Sequence, residues 1–261
     1  MRRRILISLL LGTAISWGRE APFRIPPATA AKIGQRLWKN ECAGTIEGLT
    51  SWNTGEAFAS LGIGHFIWYP RGPRGPYEES FPALVAHLAN RGAPVPEWLR
   101  RAPFCPWPDR ASFLSARNSP EMKELRGLLA GTVPLQAEFA AERSVRSLPK
   151  ILAAAPRQER AAIEARFLSL SQTGGGLYCL MDYVNFKGEG TNPAERYKGQ
   201  GWGLLQVLQA IDGVPRPDDA PAAFSVAARR TLGRRIELAP KPEGQWRAGW
   251  FSRCDSYARG L

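Results

Sequence analysis

The 261-residue chain has only two histidines, His65 and His87, and none of its four cysteines forms a Cys-x-x-Cys pair. So few ligands argue against a multi-histidine or zinc site, and we expect no metal. The chain also lacks Gly-x-Ser-x-Gly, Walker and Rossmann motifs, since Gly62–Gly64 is a lone Gly-x-Gly. These absences exclude the commonest nucleotide-binding and serine-hydrolase classes, and we expect no cofactor.

Long apolar runs are also missing. The longest, Ile5–Ser16, follows three arginines and ends in small residues, a pattern that predicts a signal peptide at 1–16 and a periplasmic or secreted protein. The run is short for a membrane span, so we expect none after signal removal, although an uncleaved N-terminal anchor is the alternative. Residues 17–27 contain three prolines and predict an extended lead-in.

The four cysteines are even in number and widely spaced. In an oxidising compartment they would form two disulfides, with three possible connectivities. The alternative is four buried free thiols. The candidates are Cys42, Cys105, Cys179 and Cys254.

The charge balance is strongly basic. The formal net charge is +12, and loss of three arginines with the leader lowers it to +9. An exported protein with this charge is attracted to anionic envelope polymers. Nucleic acid is disfavoured as a partner, because no basic helix with interleaved aromatics and no nucleic-acid motif is present. The oligomeric state is left open.

Apolar spacing predicts a mainly helical α+β chain: a single domain over 28–261 with a small β-hairpin lobe. Strands are expected at Leu49–Asn53 and Ala57–Tyr69, around a turn at 54–56. The predicted helices are 28–42, Phe81–Arg91, Ser119–Leu129, Pro134–Leu152, Glu159–Ser171, Leu177–Phe186 and Gly201–Ile211, followed by a docked tail at Gln245–Arg259.

The first helix ends in an acid. Ala30, Ile33 and Leu37 recur at helical spacing, and Glu41 lies four residues after Leu37. An acid on an apolar stripe points toward the core or a cleft, where burial helps it to keep a proton for catalysis. The alternatives for Glu41 are a surface carboxylate or a satisfied core carboxylate.

A glycine-rich segment, Ser60-Leu-Gly-Ile-Gly-His65, follows this helix, and Leu180–Gly190 forms a second apolar helix with a glycine turn. This order resembles the phage-type lysozymes and lytic transglycosylases of the lysozyme superfamily, over residues 28–70 and 177–211. The resemblance implies a lysozyme-like helical domain whose β-hairpin lies beside an active-site cleft. It also implies that Glu41 is the general acid and that Ser60 orients water or substrate.

The second carboxylate of the phage-type pattern is missing, because Thr54 stands where an Asp is expected and Ser60 replaces a Thr. Glu56 or Glu47 could take its place, or there is none. Members with a single acid are lytic transglycosylases, so hydrolysis and transglycosylation both stay open.

Five further side chains are candidates for binding substrate in the cleft: His65, Tyr69, Asn185, Lys187 and Trp202. Each also has an ordinary explanation, as a structural histidine, a helix cap or core packing. The middle of the chain, 71–176, matches nothing in the resemblance and would be a helical, proline-rich insert. It could form a lid, a partner site or a wall of the groove.

The combined expectation is an exported glycosidase that cleaves peptidoglycan or a related anionic envelope polysaccharide, as a muramidase or lytic transglycosylase. One alternative is a chitinase- or chitosanase-like hydrolase on the same fold; the positive charge disfavours polycationic chitosan. Another is a non-catalytic envelope-binding protein on a lysozyme-like scaffold. An unrelated fold would separate Glu41 from Ser60 and Asn185.

Overall fold

The computed structural model describes residues 25–75 and 77–261. The predicted signal peptide and most of the predicted lead-in lie outside the described residues. The chain is mainly helical with one small antiparallel sheet, which confirms the predicted α+β, mainly α class. No described helix combines the length and apolar character that a bilayer crossing needs.

The first helix, α1, spans Pro27–Cys42 and confirms the predicted one. A proline at its first position favours the start, because proline lacks the N–H that would be unsatisfied there. Ala43 adopts a left-handed conformation with φ 53° and ends the helix. Glu41 therefore lies in the last turn, next to the sheet.

The predicted two-stranded hairpin is a three-stranded sheet in the order β1-β2-β3, all antiparallel. The prediction of one long return strand is wrong, because a turn at residues 62–65 divides this segment into two strands. Gly62 has φ 70° and His65 has φ 48°, and such left-handed residues interrupt an extended strand. The strands are β1 Thr50–Ser51, β2 Ala59–Leu61 and β3 Phe66–Trp68.

The remaining helices follow the predicted order, with three differences. The predicted helix at 134–152 is two helices, since Pro149 enters the first turn of the second one. Two short helices, Glu97–Arg101 and Arg110–Ser115, form between the predicted helices at 81–91 and 119–129. The helix Ala220–Leu238 was not predicted either. The helices are α2 Phe81–Asn90, α3 Glu97–Arg101, α4 Arg110–Ser115, α5 Pro120–Gly131, α6 Val133–Arg146, α7 Leu148–Ala154, α8 Arg160–Ser171, α9 Gly174–Lys187, α10 Leu204–Ala210, α11 Ala220–Leu238 and α12 Arg247–Tyr257.

The middle segment belongs to the core. Buried apolar side chains form one continuous cluster that includes α1, the sheet, α6 and α9. Helix α6 packs on α1 at Gly34, where an added Cβ would lie 2.7 Å from Val133. Such close packing needs glycine, so α6 is an integral wall beside α1.

Candidate active site

A cleft of about 890 Å³ opens between the sheet and the helices. Its walls come from residues 64–67, which span the end of the tight turn and the start of β3, from the segment 77–83, from α6 with the start of α7, and from the end of α9. Glu195, Trp202 and Arg235 complete it. Part of the middle segment is thus a wall of this cleft.

Four of the five predicted substrate-binding residues meet there: His65, Asn185, Lys187 and Trp202. Tyr69 does not, because its ring is buried and its hydroxyl donates to the Tyr77 carbonyl at 3.2 Å. The exposed Tyr77 lines the cleft in its stead. Sequence reasoning missed Tyr77, which is one of two tyrosines separated by a rigid proline-glycine loop.

Glu41 does not line the cleft, but it contacts His65, which does. Its Oε2 atom lies 3.7 Å from Nδ1 of His65, whose ring lines the cleft. Its Oε1 atom accepts a hydrogen bond from Arg253, and its side chain is 10% exposed. One carboxylate oxygen is therefore held by the interior, while the other faces the histidine at the cleft edge.

Arg253 joins Glu41 to a second carboxylate that sequence reasoning missed. Asp182 is fully buried and accepts from Arg253 Nε at 2.8 Å and from Tyr257 Oη at 2.7 Å. Asn40 also donates to Asp182, at 3.2 Å. Burial opposes the charge of Arg253, but the hydrogen bonds and attraction of Asp182, with that of Glu41, raise its pKa. An acid inside the very apolar Leu177–Phe186 stretch was the available signal.

The turn at 62–65 is shaped by α6. Gln136 is fully buried and accepts from the Ile63 amide at 3.0 Å. A Cβ on Gly62 would lie 2.4 Å from the Gln136 side chain, so only glycine fits. The turn leaves His65 with φ 48°, a strained conformation of the kind that concentrates at functional sites.

The other end of the cleft is cationic and aromatic. Lys187, the last residue of α9, has its Nζ atom 3.5 Å from the Trp250 ring centre and 4.2 Å from that of Phe186. Burial, followed by repulsion from Arg235 and Arg253, lowers its pKa to about 7. A lysine perturbed in this way inside a cleft is a candidate functional group.

The proposed second carboxylates lie elsewhere. Glu47 is exposed, and neither it nor Glu56 lines the cleft. The Glu56 Oε2 atom is buried and has no hydrogen-bond partner among the described residues. Ser60 is buried in β2, where its carbonyl accepts from the Ser51 hydroxyl at 3.2 Å. Of the three predicted catalytic residues, Glu41 is the one whose carboxylate faces the cleft-lining His65.

The predicted disulfides are not formed. Cys42, Cys105, Cys179 and Cys254 are all buried free thiols. Burial raises the pKa of Cys42, Cys105 and Cys254 to about 12, and that of Cys179 well above its ordinary value. These cysteines act as small apolar core residues, because buried thiols are protonated and unreactive.

Comparisons with protein-family models, curated proteins and solved structures found no match for this chain. Within residues 25–75 and 77–261, no three His, Cys, Asp or Glu side chains group as metal ligands would. The functional argument therefore depends on the cleft itself.

Proposed function

We propose that this protein is an exported, lysozyme-like enzyme that cleaves glycosidic bonds in peptidoglycan or a related anionic envelope glycan, with Glu41 as the general acid. The observation that carries the proposal is the cleft shared by the His65 turn and the end of α9, with the Glu41 carboxylate beside His65. Substrate sites are typically concave, with a few convergent polar groups among apolar walls.

Glycoside cleavage needs an acid that protonates the leaving oxygen. Arg253 holds Oε1 of Glu41, so Oε2, which faces His65, is the oxygen available to deliver a proton toward the cleft. Glu47 and Glu56 lie outside the cleft. The carboxylates that line it all contact other side chains: Glu78 with Arg143, Glu79 with Arg74, Glu189 with Lys150 and Glu195 with Asn192. This arrangement favours the single-acid route. In that route the sugar's own hydroxyl attacks, and the product carries an anhydro sugar, as with lytic transglycosylases.

The buried free thiols remove disulfides as an argument for export. Export therefore depends on the N-terminal pattern of charge and apolar residues alone. The basic net charge of +12 supports an anionic polymer as the partner.

The test is release of soluble muropeptides from isolated cell walls, measured by mass spectrometry, for the wild type, Glu41→Gln and Glu164→Gln. Glu164 is an exposed carboxylate on α8, outside the cleft. We expect Glu41→Gln to lower the rate about 10²- to 10⁴-fold, the usual contribution of a general acid, and Glu164→Gln to leave it unchanged. Products lighter by one water than the hydrolytic ones would identify the transglycosylase reaction.

Equal activity of Glu41→Gln and the wild type would refute the role of Glu41. Binding to walls without any release would favour the second candidate, a non-catalytic glycan-binding protein. The structural support for that candidate is that Glu41 is paired with Arg253 and does not itself line the cleft.

A further inference from the structure

Lys187 is an unpaired cation in the cleft. Its Nζ atom packs against the rings of Trp250 and Phe186. Among the residues that the structure describes, no carboxylate oxygen lies within 4.0 Å of this ammonium and no acceptor within hydrogen-bond distance. The three N–H donors of this partly buried ammonium therefore face two aromatic rings and the open cleft, where water or a ligand can accept from them.

The other cations that line the cleft are all paired. Arg143 lies 3.7 Å from Glu78, and Arg146 lies 3.6 Å from Glu142. Lys150 contacts Glu189. Arg235 donates twice to Glu243, at 2.8 Å each. Lys187 is the exception in this part of the chain.

Carboxylates in the neighbourhood of Lys187 have other partners. Asp182 receives Arg253, Tyr257 and Asn40. Glu243 receives Arg235 and the Tyr197 hydroxyl. Glu195 also lines the cleft, where its Oε1 atom accepts from the Asn192 amide at 3.4 Å. None of these carboxylates lies within salt-bridge distance of the Lys187 ammonium, so its acceptor in the cleft is water or a bound ligand.

The walls around Lys187 suit a sugar. Trp202 lies against Tyr197, with ring centres 4.5 Å apart, and the Arg235 guanidinium covers it at 4.2 Å. Phe186 and Trp202 both line the cleft beside Lys187. Arg235 lies over Trp202, and Lys187 and Arg253 lie over Phe186. A sugar would therefore pack against the parts of these rings that the cations leave open, while the Lys187 ammonium takes a charged substituent.

We infer that the Lys187 end of the cleft binds a free carboxylate carried on a sugar ring, as on a muramic acid without a stem peptide, so that the substrate is an acidic glycan and not a neutral chitin-type one. This inference rests on the proposed function, because it assigns a substrate class to the same cleft. The ammonium would donate to the carboxylate while Trp202 and Phe186 contact the ring. The single charge of the Lys187 ammonium matches the single charge of one carboxylate on the sugar.

The experiment is calorimetric titration of the protein with two disaccharides. One contains N-acetylglucosamine and N-acetylmuramic acid, and the other is the neutral diacetylchitobiose, which lacks the carboxylate. We expect the wild type to bind the acidic disaccharide about 10- to 100-fold more tightly, the effect of one charge-assisted hydrogen bond. Lys187→Met should abolish this preference, whereas Lys123→Met, which removes an exposed lysine from α5, should keep it.

The pH dependence separates charge from shape. Burial, Arg235 and Arg253 lower the pKa of Lys187 to about 7, against the opposite influence of Glu243 and the Cys254 thiol. The ammonium is therefore lost as pH rises, and wild-type affinity for the acidic disaccharide should fall between about pH 6 and pH 9. Lys187→Arg should stay tight at the upper pH, because arginine keeps its charge. This variant also carries the test if Lys187→Met does not fold.

Each outcome supports or overturns the inference or the proposed function. Equal affinity for the two disaccharides, or a preference that survives Lys187→Met, would overturn the inference, and muropeptide release would still support the proposed function. A Lys187-dependent preference without muropeptide release would refute the proposed function alone. Competition by a free acidic stem peptide that Lys187→Met removes would place the recognised carboxylate on the peptide and contradict a sugar-borne one. Binding of neither disaccharide would overturn the inference, and muropeptide release would still decide the proposed function.

Discussion

Glu41 and Asp182 share one arginine but differ in everything else around them. Asp182 is fully buried, and Arg253, Tyr257 and Asn40 all donate to it. Glu41 is 10% exposed, accepts from Arg253 alone among these, and faces His65 at 3.7 Å. A carboxylate whose two oxygens already accept several hydrogen bonds is limited to a structural role. A carboxylate with one oxygen directed at a cleft can also take part in a reaction.

The sharpest test of this comparison is stability. We expect Asp182→Asn to lower the free energy of unfolding by about 3–5 kcal/mol, because it leaves the buried Arg253 charge with only a partial partner. Glu41→Gln should cost about 1 kcal/mol or less, since the amide oxygen can still accept from Arg253 and Asp182 remains. Denaturant unfolding at neutral pH measures both.

Similar losses for the two variants would remove the distinction. Tyr257→Phe is the matched control for Asp182, since it deletes one neutral donor, the hydroxyl at 2.7 Å. It should cost about 1 kcal/mol.

His65 is the partner that Glu41 has and Asp182 lacks, and its backbone is strained at φ 48°. Both His65→Gly and His65→Ala delete the ring, but only glycine tolerates this conformation at no steric cost. We expect His65→Gly to be more stable than His65→Ala by about 1 kcal/mol, as measured by thermal and denaturant unfolding. An alanine variant as stable as the glycine variant would show that the turn relaxes.

The smallest expected difference is between the alkylation rates of two cysteines, each of which lies close to one of the two carboxylates. Cys42 follows Glu41 and is 3% exposed, while Cys179 lies one helical turn before Asp182 and is 0% exposed. Burial keeps both thiols protonated, so we expect slow labelling in the native protein, with Cys42 reacting before Cys179. Peptide mass spectrometry after timed alkylation measures the order.

Rapid labelling of Cys179 would contradict its burial beside Asp182. A fall in Tm on addition of a reductant would show disulfides that the structure does not contain.

Local patterns predicted the elements that carry Glu41. The stripe Ala30, Ile33 and Leu37 gave both the helix and the direction of the acid, because helical periodicity is a property of neighbouring residues. Asp182 is an acidic residue in an apolar helix, a pattern that also indicates a buried carboxylate, but it was not among the predicted site residues. Helix α11 also had one, since Phe224, Ala227, Thr231 and Leu232 are buried at helical spacing, but alanines and arginines weakened it.

Partners distant in sequence could not be predicted in the same way. Arg253 lies 212 residues from Glu41, and nothing local to either side chain indicates the pairing. The turn that divides the predicted return strand depends on Gln136. The lack of a carboxylate partner for Lys187 could not be predicted either, because it depends on how distant parts of the chain pack around the lysine.

The hydrogen bond from the Ile63 amide to Gln136 spans 73 residues of chain. The glycine turn that presents His65 therefore cannot acquire its final shape while the sheet is alone, and must wait for α6 to dock. Such long-range closures form late and slow folding. We expect the cleft edge beside Glu41 to be among the last parts of the molecule to become ordered, so an emerging chain would carry the Glu41 carboxylate long before the cleft beside it had formed.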